Sequence, residues 1–109
     1  MPLTIEHIQE AMAGEGLSPR QVVDFRVYLA ALFSMKTDEL QAIYSRRPEW
    51  WNNNRPKFKS DKATDRAWEA TSIGVREMQL EMLLKRIDKL SSALASKLRV
   101  LEMEARNQV

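Results

Sequence analysis

The chain has 109 residues and no cysteine, with 44% hydrophobic and 29% charged residues, the composition of one ordinary globular domain without disulfides or thiolate metal sites. Its longest apolar run, Val27 to Phe33, is about a third of a membrane span, and Met1-Pro2-Leu3-Thr4-Ile5-Glu6 lacks a signal peptide's basic and apolar regions. A cytoplasmic protein with no membrane partner is expected. The net charge of +2 is unevenly spread: residues 1–44 hold three basic and six acidic groups, residues 45–66 seven and three, and residues 67–109 seven and six.

Thr4 can cap a short helix to Ala13 that sets Ile5, Ile8 and Met12 on one face, with Gly14-Glu15-Gly16 ending it. The next start signal is complete. Ser18 is the N-cap, Pro19 takes the first helical position, Gln21 closes a capping box, and Leu17 and Val22 form a hydrophobic staple. From Val27 to Phe33 this second helix has no polar side, which predicts burial on most sides. Thr37-Asp38-Glu39 reads as a fresh N-cap with acids in the first turn. A third helix follows, with Leu40, Ile43 and Tyr44 inward, and stops before Pro48. Pro48 to Pro56 reads as loop. Ser60 or Asp61 then opens a helix with no further proline, and Thr71 to Gly74 is the stretch where a kink or break is expected. The expected fold is all-α and one folding unit: a bundle of about three short helices over 1–47, a basic Trp/Asn/Pro loop over 48–60, and a long C-terminal helix over 61–109.

Ile73, Leu80, Ile87, Leu94 and Leu101 recur every seven residues along that last helix, a coiled-coil-like spacing that Leu84 and Leu98 reinforce. From Asp61 to Asn107 the helix would run about 70 Å, twice the roughly 35 Å width of a compact chain of this size. A second subunit is therefore expected along Ile73, Leu80, Leu84, Ile87, Leu94, Leu98 and Leu101, with a dimer favoured. Ser91-Ser92-Ala93, with Ala95 and Ser96, forms a small-residue waist where a helix can approach closely. The same seam can also pack on the second and third helices of its own chain, and both are expected: the first part of the helix covers the N-terminal bundle and the last four turns meet the second subunit.

Between residues 46 and 66 the chain interleaves Arg46, Arg47, Arg55, Lys57, Lys59, Lys62 and Arg66 with Trp50, Trp51, Asn53 and Phe58. Cations suit phosphates, aromatic rings suit base stacking, and amides suit base edges, so these residues are the candidate contact surface for DNA or RNA. The alternative target is a protein with an acidic surface, with Trp50 and Trp51 as anchors. Around Gly16-Leu17-Ser18-Pro19-Arg20-Gln21-Val22 the chain loosely resembles the turn of helix-turn-helix repressors. An extra turn residue and an apolar helix in the acidic third of the chain argue against major-groove reading there.

Catalytic chemistry has no candidate. His7 is the single histidine, no Gly-rich phosphate loop exists, and Glu77 and Glu81, four apart on a helix, have no third ligand placed beside them. The expected protein is a non-enzymatic helical oligomer without cofactor or metal. It would act as a nucleic-acid-associated accessory factor or, alternatively, as a protein-binding adaptor or inhibitor.

Overall fold

The computed structural model describes residues 3–107 and is all-α, with no strand among the described residues. The order is α1 (Ile5–Ala13), α2 (Pro19–Asn54), a single 3₁₀ turn (Arg55–Lys57), α3 (Asp61–Ala70) and α4 (Ser72–Asn107). Residues 1, 2, 108 and 109, assigned above to the ends of the bundle and the long helix, lie outside the described residues.

The helix starts expected at Thr4 and Ser18 are present. Thr4 caps α1 by accepting from the His7 amide. The capping box closes α2, with the Ser18 amide donating to Gln21 Oε1 at 2.9 Å and the Gln21 amide to Ser18 Oγ at 3.2 Å. Gly16 makes the turn between them at φ +85°, a backbone region that favours glycine.

Two expected breaks in α2 do not occur. The helix runs through Thr37-Asp38 and through Pro48, so Trp50 and Trp51 are helical and the expected loop is confined to the residues after Asn54. The reason is an inward stripe that both local signals obscure. Val22, Leu29, Lys36, Ile43 and Trp50 recur every seven residues and are all buried or half-buried. Burial of that stripe outweighs a cap signal worth about 1 kcal/mol and a proline cost of about 3 kcal/mol. Pro48 lies on the exposed side, where a carbonyl without its helical partner can be hydrated.

The break expected near 71–74 falls at Thr71. Its extended backbone ends α3, and its hydroxyl both donates to the Trp68 carbonyl at 2.6 Å and accepts from the Gly74 amide at 3.0 Å. One residue thus caps two helices. Gly74 is required by proximity rather than by flexibility, since a Cβ there would lie 1.9 Å from the Trp68 carbonyl oxygen and 3.0 Å from Glu69 Cα.

The chain forms two compact units. The terminal unit comprises the chain up to Phe33 together with the chain from Lys85 onward. Its core is apolar: Ile5, Ile8, Leu17, Val22, Phe25, Leu29, Ile87 and Leu94 are buried. Each full burial of this kind contributes about 1.5–3 kcal/mol. Arg86 ties α4 to α1 through Gln9 at 2.7 Å and Glu6 at 3.6 Å, and His7 meets Phe25 edge-on at 6.4 Å. The central unit, Ser34–Leu84, is built on Leu40, Ile43, Trp68 and Leu80, with Trp50, Ile73 and Leu84 packed against them.

The heptad seam of α4 is therefore largely satisfied inside the chain. Leu80, Ile87 and Leu94 are at most 2% exposed, and Ile73, Leu84, Leu98 and Leu101 are half-buried. The break at Thr71 shortens the last helix to the 36 residues of α4. Unbroken, α2 is 36 residues long, the same as α4. Conversely, the Val27–Phe33 stretch is not buried all round: Val27 is 65% exposed and Phe33 40%.

Candidate functional site

The basic segment begins on the last turns of α2, crosses the 3₁₀ turn and ends on α3, all within the central unit. Of its three aromatic members, Trp50 is structural. Trp50 meets Trp68 edge-on at 5.3 Å, and Trp68, 1% exposed, donates its indole N–H to Glu77 Oε2 at 3.0 Å. Trp51 and Phe58 are half-buried, while Asn53 is exposed.

Two of the seven cations are also structural. Arg47 lies over the Trp68 ring at 5.8 Å and donates to Asp65 Oδ1 at 3.0 Å. Its Nη1 stands 3.9 Å from Glu77 Oε1, a buried oxygen with no hydrogen-bond partner. That distance compensates charge but is too long for a hydrogen bond. Arg55 closes the turn by donating to Asp61 Oδ1 at 2.6 Å and to the Phe58 carbonyl at 2.9 Å. The Asn54 amide returns to the Trp50 carbonyl at 2.8 Å, and Ser60 caps α3 through the Ala63 amide.

The remaining cations, Arg46, Lys57, Lys59, Lys62 and Arg66, are exposed. Lys62 and Arg66 stand one turn apart on the same side of α3, with Lys59 just before the helix. Arg46 sits elsewhere, lining a hollow of about 330 Å³ with Ser72, Ile73 and Arg76. Arg76 is already engaged there as a fork on Glu39, at 2.9–3.2 Å. That hydrogen bonding holds the Glu39 carboxyl below its ordinary value.

Sequence reasoning missed Trp68, Asp65, Glu39 and Arg76, each of which acts through a partner at least nine residues away in sequence. Glu77 and Glu81 are not a paired-carboxylate site. Glu77 is committed to Trp68, and Glu81 accepts from the Tyr44 hydroxyl at 2.6 Å, which pushes the Tyr44 pKa up to about 12. No cluster of three or more metal-ligating side chains occurs among the described residues, and none of their helices is long and apolar enough to cross a membrane. No protein-family model, curated protein or solved structure matches the chain.

Proposed function

We propose that the protein is a non-enzymatic, nucleic-acid-associated accessory factor of the cytoplasm that contacts the phosphate backbone through Arg46, Lys57, Lys59, Lys62 and Arg66. One observation carries this reading. The pairs Arg47–Asp65 and Arg55–Asp61 consume two cations and two of the three acids between residues 45 and 66. Five exposed cations then face only the exposed Glu49 in that segment.

The chemistry follows from this inventory. Lysine and arginine at the surface bind phosphates by charge, with counterion release and little sequence preference. Base stacking contributes less than the sequence implies, because the Trp50 ring is held against Trp68. The adaptor alternative is weakened by the same contact, since Trp50 was one of its two anchors.

Fluorescence anisotropy with labelled single- and double-stranded DNA and RNA tests the proposal. The expected log–log slope of affinity against salt is about −3 to −5, reflecting three to five phosphate contacts. Replacing Lys59, Lys62 and Arg66 with glutamate should abolish binding at low salt while leaving the circular dichroism unchanged, because all three side chains are exposed. Absence of binding at low salt, or binding indifferent to salt, would overturn the proposal. Capture of an acidic protein by the same cations, without nucleic-acid binding, would replace it with the adaptor reading.

A further inference from the structure

The terminal unit carries an apolar face that its own core does not use. Two shallow hollows lie side by side between α2 and α4 and share Ala30 and Ser91 in their linings. One, of about 310 Å³, is lined otherwise by Val23, Arg26 and Val27. The other, of about 210 Å³, is lined otherwise by Leu29, Phe33, Ile87 and Asp88. Val23 is 47% exposed, Val27 65% and Phe33 40%, so apolar surface is open on both sides of the centre.

We propose that this face is a homodimer interface, with a second copy related by a two-fold axis that lies in the face and crosses α2 and α4 at Ala30 and Ser91. An isologous contact requires a surface complementary to itself after such a rotation. The rotation exchanges the two hollows. Val27 and Phe33 stand three residues to either side of Ala30 on α2, so each Val27 is carried over the partner's hollow that Phe33 lines. The charges obey the same operation. Arg26 borders one hollow and Asp88 the other, both are exposed, and neither has an ion-pair partner among the described residues. End-for-end reversal brings each Arg26 to the level of the other copy's Asp88, giving two equivalent ion pairs flanking an apolar centre. Ala30 and Ser91 are small, which lets the backbones approach where the axis passes.

The copy-to-copy contact accounts for Val27, which intrachain packing leaves 65% exposed. It lies in the terminal unit, whereas the proposed phosphate contacts belong to the central unit, so the two proposals fail separately.

Sedimentation velocity from the nanomolar to the high micromolar range tests it. The wild-type chain should dimerise. Val27→Asp, at a largely exposed position, should leave circular dichroism and melting unchanged and raise the dimer Kd at least about tenfold. Arg26→Glu and Asp88→Arg should each weaken the dimer, and the double variant R26E/D88R should recover it, because the rotation restores opposite charges at both sites. A monomer across the whole range, a dimer indifferent to Val27→Asp, or a double variant no tighter than its weaker single parent would each overturn the proposal.

Discussion

The two units of this chain are stabilised by different means. In the terminal unit the buried side chains are aliphatic or phenyl, and the polar ties of Arg86 lie at the surface. In the central unit the largest buried side chain is Trp68, hydrogen-bonded to a buried carboxylate and covered by an arginine that is itself held by Asp65. An aliphatic core depends on how much area is buried and how well it is filled, and neither depends on ionisation. A core with a buried Trp–Glu pair, covered by a half-exposed arginine, is costly to leave partly satisfied, so each member depends on the others. Within residues 45–66 of the central unit, Arg47 and Arg55 are paired with Asp65 and Asp61, which leaves five exposed cations beside the exposed Glu49.

The largest effect that would sharpen this contrast is expected at Gly74. Gly74→Ala places a methyl group against the Trp68 backbone, an obstacle that no side-chain rotation removes. The expected destabilisation is more than about 3 kcal/mol, read from the midpoint of denaturant unfolding. A neutral Gly74→Ala would mean that the α3–α4 junction is looser than its hydrogen bonds imply.

Intermediate effects distinguish the cores. Leu94→Ala in the terminal unit should cost about 2–5 kcal/mol, a transfer and cavity effect that is independent of salt. Trp68→Phe in the central unit should cost about 1–3 kcal/mol, because Glu77 then keeps no hydrogen bond. In a Glu77→Leu background the Trp68→Phe loss should shrink by at least about 0.5 kcal/mol. A double-mutant cycle with zero coupling would break the comparison and make the central unit another simple apolar core.

The smallest effect concerns Tyr44, whose hydroxyl is held protonated by Glu81. A pKa raised from 10.0 to about 12 means that this contribution is complete below the unfolded value and is lost as pH rises through the folded one. Melting temperature should therefore fall with pH between 10 and about 12 less steeply in Tyr44→Phe than in the wild type. Equal slopes would show that the Tyr44–Glu81 bond is not maintained in solution.

The chain's local signals determined a great deal. The all-α class, the Thr4, Ser18 and Ser60 caps, the break at Thr71 and the inward register of α4 all follow from side chains within about one turn of each other or from a simple period. The continuity of α2 was also present in the sequence, in the seven-residue recurrence of Val22, Leu29, Ile43 and Trp50. Lys36 in the middle of that series, with Thr37-Asp38 and Pro48 nearby, obscured it.

Tertiary structure alone decided which charges stay free. Seven cations between residues 45 and 66 look equivalent along the chain, yet Arg47 and Arg55 are paired with Asp65 and Asp61 and the other five have no ion-pair partner among the described residues. It likewise decided that Gly74 admits a backbone rather than a bend. Periodicity reports which side of a helix is apolar, because that depends on neighbours three and four residues away. It cannot report what the opposite helix places there, and ion pairs and close backbone contacts depend on that alone.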